Sequence, residues 1–226
     1  MPLSTAFTTA VVLRRPVALL AAFVVVVAGV SLPSGPAGAS VPTHRHVARP
    51  LTATGHLAPG YHLVVQNGPP LDCTFPEPSP GAVDDKIRFC GPSAAYAVAC
   101  WRDPNPGFVD CLRDATGHRV DRLPATLGAA AVHAPAHPSP LVIRLANGER
   151  CSIRDGGAWD SPKQHPTWVG TYSCNRGNDA VWATPAHPAT NGVNMSHASW
   201  TVVTGPVTGP WHTSHVADAW FVGNHR

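Results

Sequence analysis

The sequence predicts an all-β protein: an antiparallel β-sandwich or partly open barrel of about eight to ten short strands, stapled by disulfides. Three observations carry that expectation. Runs of four to eight residues rich in Val, Ile, Tyr, Phe and Trp alternate with Gly, Pro and Asn clusters from Tyr61 onward, and that is strand length with turn punctuation. Nowhere do apolar residues keep the three-and-four spacing of an amphipathic helix over several turns. Six cysteines, an even number, all lie beyond residue 72.

In chain order, Arg14 and Arg15 come first, followed by the apolar run Val17 to Val30. That run is shorter than the roughly 20 apolar residues needed to cross a bilayer. Ala37-Gly38-Ala39 has the small-x-small form of a signal-peptidase site. Residues 1–39 are therefore expected to be a signal peptide, with a mature start at Ser40; an uncleaved anchor is the alternative. The adjacent arginines raise the twin-arginine route, but Pro16 makes a weak match, and cysteine pairing outside the cytosol suits Sec export better.

Residues 40–60 carry scattered apolar positions and three prolines without a period, which reads as a flexible lead-in. Residues 61–226 then form a single β domain. Its strand runs are "YHLVVQ", "KIRFC", "AYAVACW", "FVDCLR", "LVIRL", "RCSIR", "WVGTYSC", "AVWAT", "SWTVVT" and "VADAWFVG". Asn147-Gly148 between two of them is a strong hairpin signal, expected as a type I′ turn. "RDPNPG" marks a second hairpin. The stretch 114–140 is poor in strand formers and is expected to be a long connection.

Cys73, Cys90, Cys100, Cys111, Cys151 and Cys174 admit fifteen pairings. Cys100 and Cys111 flank one turn, and Cys151 and Cys174 sit on runs either side of another loop. These pairs are expected as bridges, which leaves Cys73 for Cys90 by elimination. A bonded cysteine cannot act as a nucleophile, because only the thiolate attacks.

The signal holds two of the 16 basic residues and none of the 13 acids, leaving 14 against 13. A balance so near neutrality offers no electrostatic footprint for nucleic acid. No Gly-x-Ser-x-Gly elbow, phosphate loop, Cys-x-x-Cys pair or His-Glu-x-x-His occurs, so the commonest enzyme and metal signatures are missing. No cofactor is implied, and no catalytic residue is assigned.

Of seven tryptophans, Trp168, Trp182, Trp200 and Trp220 fall in strand runs and are expected in the core. Trp101, Trp159 and Trp211 are candidate ligand contacts. The composition, with 25 prolines and only two lysines, resembles that of exported actinobacterial proteins. The block "DGGAWDSP…HPTWVGTYSC" is similar to a segment of small exported mycobacterial proteins of unassigned function. The resemblance implies secretion and assigns no residue roles.

The functional expectation is non-enzymatic binding of a protein or glycan of the envelope or host. The binder would be a monomer with no membrane span after signal cleavage, presenting the loop "WRDPNPGFVD" and, second, "DGGAWDSPKQHPTW". A protease inhibitor with the Cys100–Cys111 loop as bait is a special case. The rivals are a hydrolase using Asp160 or Asp155 with His165, and metal capture by His212 and His215 together with His44 and His46.

Overall fold

The computed structural model describes residues 41–75, 77–91, 97–154, 160–176 and 178–225. The expected signal peptide lies outside them. Twelve strands follow one another among the described residues: β1 His44–Ala48, β2 His62–Val65, β3 Leu71–Cys73, β4 Cys100–Arg102, β5 Phe108–Leu112, β6 Arg119–Leu127, β7 Val142–Leu145, β8 Arg150–Ile153, β9 Val169–Cys174, β10 Ala180–Ala183, β11 Trp200–Gly205 and β12 His212–Val222. The fold is all-β, and no described helix is long and apolar enough to cross a membrane.

Strands β7 to β12 pair antiparallel with their sequence neighbours, and β12 returns to pair with β7. This closes a six-stranded barrel, which removes the unpaired edges that invite aggregation. Its interior is filled by Ile143, Leu145, Tyr172, Val181, Val202, Val216 and Phe221, every one of them buried. The Trp182 indole is fully buried and donates to the Gly205 carbonyl at 2.8 Å, so its one polar atom is satisfied.

The 11 residues of β12 carry three neighbours. His212–Val216 pair with β11, Val216–Trp220 with β7, and Asp218–Val222 with β1, which runs parallel. Because β7 occupies one edge, β1 takes up the other where β11 leaves it. Residues 40–60, expected as an unstructured lead-in, thus supply a strand. The partner lies more than 170 residues away, at Asp218 for His44, and no local periodicity reports a pairing of that range.

A second sheet runs β2-β6-β5-β4, with β3 also on β6. Its central strand, β6, lies inside the stretch 114–140 that reads as a connection. Pro124 hides it, because proline is normally confined to edges or bulges. Here β2 pairs with Arg119–Arg122 and β3 with Ala125–Leu127 along the same edge. The Ala125 amide donates to Gly107 on the β5 side, so by strand alternation the Pro124 nitrogen faces the gap between β2 and β3. The missing N–H falls where no partner asks for one. Leu112 and Val120 of this sheet share a buried cluster with Val142 and Val222 of the barrel.

All three expected bridges are present. Cys100 and Cys111 face each other across β4–β5 with Cα atoms 4.0 Å apart, Cys151 and Cys174 do so across β8–β9 at 3.9 Å, and Cys73 joins Cys90 at 4.7 Å. The "KIRFC" run makes only isolated bridges, Arg88 with Pro78 and with Cys100. In "AYAVACW", residues 92–96 lie outside the described ones.

The Asn147-Gly148 hairpin forms between β7 and β8 but is not type I′, since of the two only Gly148 has positive φ, at 81°. Gly148 donates to Leu145, Leu145 donates to Glu149, and the Asn147 side chain caps the Glu149 amide. This is the pattern of a three-residue loop ending in a left-handed glycine.

Candidate functional site

Arg88 is held from both sides by backbone bridges, to Pro78 and to Cys100. Next to Cys100 on β4 stand Trp101 and Arg102. The turn after β1, containing Thr52 and Gly55, and the tail after β12, containing Asn224, complete a cavity of about 410 Å³ around these residues and Lys86. It is larger than the other described cavities of about 250 to 280 Å³. Three disulfide half-cystines sit immediately behind it, because Arg88 bridges Cys100 and its Nη1 donates to the Cys73 carbonyl at 3.3 Å, while Cys100 is bonded to Cys111.

The cavity is electrostatically one-sided. Lys86, Arg88 and Arg102 line it, and no carboxylate is among its described lining residues. Arg88 is only 5 % exposed, and its buried Nε has no hydrogen-bond partner. Burial, and after it the charge of Arg102, push the Arg88 guanidinium below its ordinary pKa. Both act by disfavouring the charged form. Arg102 itself donates to the Gly128 carbonyl at 2.9 Å, a bond that brings no negative charge. Lys86 adopts φ 70°, a left-handed conformation uncommon outside Gly, Asn and Asp.

Four other arginines are neutralised at close range, while Arg49 and Arg176, like Arg102, donate to backbone carbonyls. Arg122 contacts Asp103 and binds Asp110 through both oxygens at 2.9 and 3.0 Å; Arg119 meets Asp121 at 2.7 Å, Arg150 meets Asp114 at 2.6 Å, and Arg144 contacts Asp218. Burial raises the Asp110 pKa, against the hydrogen bond from Arg122 and with help from neighbouring Asp103. Buried Asp110 and Asp121 of the second sheet thus face arginines, whereas buried Arg88, flanked by exposed Lys86 and Arg102, has no ion pair among the described residues.

Trp101, singled out by sequence, forms part of the wall. It is 6 % exposed and belongs to the core shared by the two sheets, and its Nε1 donates to Asn224 Oδ1 at 2.9 Å. Only a sliver of the indole meets the cavity. Trp211 is half-buried, donates to the Pro206 carbonyl at 2.8 Å and packs edge-on against His165 and Trp168. His165 lies flat on Trp168, with centroids 3.9 Å apart. Trp168, expected in the core, is half-buried and precedes its strand; Trp220 is half-buried as well. Trp159 and Asp155 lie outside the described residues.

The rival sites do not assemble. Asp160 is exposed and has no hydrogen bond or ion pair with His165, whose ring is committed to the two indoles. Cys151 and Cys174 are bonded to each other. His212 and His215, three apart on β12, project to opposite faces and meet the hydroxyls of Thr204 and Ser199. His46 instead pairs with Asp218 at 2.8 Å and stacks on Trp220. The described group with metal-ligand spacing is Glu149 with Cys151 and Cys174, and as a disulfide those two sulfurs offer no thiolate.

Sequence reasoning missed Lys86, Arg88, Arg102 and Asn224. The one local signal is "KIRFC", which sets two cations two residues apart in a chain with few lysines. No known protein family, curated protein or solved structure matches this chain.

Proposed function

We propose that the protein is an exported, disulfide-stapled binding domain of the cell envelope or extracellular space. Its recognition surface is the cavity beside Trp101 together with the adjoining "RDPNPG" turn. The observation that carries this reading is the cavity itself: a concave site lined by Lys86, Arg88 and Arg102, with no carboxylate among its described lining residues. A few convergent polar groups in a recess are the usual form of a ligand site. The turn is contiguous with it, since Pro104 packs against Gly55 in the cavity wall. Two staples and the Asp103 cap on the Asn105 amide at 2.7 Å pre-order this surface, which lowers the entropy lost on binding. Three disulfides support an oxidising compartment, where such bonds persist.

The test has two parts. Non-reducing peptide mapping of protein recovered from culture medium should show Ser40 at the N-terminus and all three bridges; material found only inside cells, or with reduced pairs, would overturn export. Immobilised protein should then retain a component of envelope extract, and Arg102→Gln should weaken that retention while leaving the melting temperature within about 2 °C. Equal retention by both would remove the cavity from recognition.

A further inference from the structure

We infer that the cavity of Lys86, Arg88 and Arg102 is an oxyanion site, taking a phosphate, sulfate or carboxylate group of the ligand. The inference rests on the reading of this cavity as the recognition surface and names the chemistry that fills it.

Charge is the first ground. Residues from Ser40 onward carry 14 basic and 13 acidic side chains, so three basic side chains lining one cavity with no described acid among them are not a by-product of a basic chain. The carboxylates nearest in sequence have other partners: Asp84 Oδ2 accepts the amide of Asn224, itself a cavity residue, at 2.9 Å, Asp85 accepts the Ala134 amide at 2.8 Å and faces His133, and Asp103 contacts Arg122. Asp85 feels the Lys86 charge but does not pair with it. Two guanidiniums near one another, one of them almost wholly buried, repel until an anion comes between them.

Unmet hydrogen bonding is the second ground. A buried polar atom without a partner is destabilising, more so when charged, and Arg88 Nε is such an atom. A guanidinium presents five donors in a planar fork suited to carboxylate and phosphate oxygens. Arg88 uses one on Cys73 and Arg102 one on Gly128, which leaves donors on both. Backbone strain is the third. Lys86 holds φ 70°, where Gly or Asn would sit with less cost, and strain of this kind gathers at ligand sites.

The shape argues against nucleic acid. Polyanion binding needs a basic face that tracks many phosphates, whereas this cavity of about 410 Å³ is lined by three basic side chains, one buried and two exposed.

The experiment measures thermal stabilisation and calorimetric binding of the intact protein with sodium phosphate, sulfate, acetate and citrate, against chloride at matched ionic strength. Phosphate or citrate should raise the melting temperature. Lys86→Asn, which suits the left-handed conformation, and Arg102→Gln should each weaken binding about tenfold, the loss of one charge-assisted hydrogen bond. Arg88→Met should abolish the response and, without anion, be no less stable than the parent, since an aliphatic chain replaces an uncompensated buried charge. Should that variant fail to fold, the Lys86 and Arg102 variants decide alone.

A response to phosphate and sulfate only assigns a tetrahedral oxyanion, and a response to acetate and citrate only assigns a carboxylate; either supports the site. No anion-specific effect, or an effect unchanged in Lys86→Asn and Arg102→Gln, overturns it. If envelope retention still depends on Arg102 in that event, the binding reading survives with a neutral ligand. An anion response without any retained component would instead leave the oxyanion site standing and remove the envelope partner.

Discussion

Arg88 and Cys100 exchange both backbone hydrogen bonds, each amide donating to the other's carbonyl at 2.9 Å. The buried guanidinium is thereby fixed to the strand that carries the Cys100–Cys111 bridge. Converting both cysteines to Ala should cost about 3 kcal/mol by the chain-entropy argument. Urea denaturation measures that loss, and calorimetry at a urea concentration where both proteins stay folded should show weaker phosphate binding in the variant.

Pro124 tests the account of β6. Its nitrogen faces the break between β2 and β3, so Pro124→Ala should change stability by under about 1 kcal/mol. Val120, fully buried and paired with both Leu112 and Leu63, has no such break. Val120→Pro should cost about 3 kcal/mol or more, and parallel urea titrations compare the two.

Acid stability should depend on Asp218. Burial acts to raise its pKa, but the hydrogen bond from His46 and the charge of Arg144 outweigh that and hold the carboxyl below its ordinary value. A carboxylate with a depressed folded pKa contributes stability above the unfolded pKa of about 4 and loses it as pH falls through the folded value. Asp218→Asn should therefore be about 2 kcal/mol less stable near neutrality, with the difference shrinking toward about pH 2 in melts across the acid range.

At the alkaline end the relevant group is Tyr172, fully buried, with its hydroxyl donating to the Pro140 carbonyl at 2.7 Å. Burial drives its pKa strongly upward. A phenol with a raised folded pKa contributes stability that is intact below the unfolded value of about 10 and is lost as pH rises. Absorbance at 295 nm should show Tyr172 ionising only together with unfolding, and Tyr172→Phe should remove that coupled step while costing about 1 kcal/mol.

What could be read from the chain followed the range of the interactions. Strands β7 to β12 pair with sequence neighbours, and their apolar alternation and turns are local, so they were legible. The cysteine pairs were legible for the same reason, each bridge closing over one turn-rich loop. β1 was not, because its partner is at the opposite end of the chain, and β6 was masked by a proline whose harmlessness depends on two other strands. The cavity was hardest: Thr52, Arg88, Trp101 and Asn224 are scattered along the sequence, and only the barrel's last strand brings Asn224 to Trp101.

That last strand also sets a clock. β12 pairs with β1, β7 and β11, so no ordering of the earlier segments can finish the barrel before residues 212–222 leave the ribosome. Until then β1, β7 and β11 each lack the partner that β12 supplies, so the second sheet can form first and the barrel closes last.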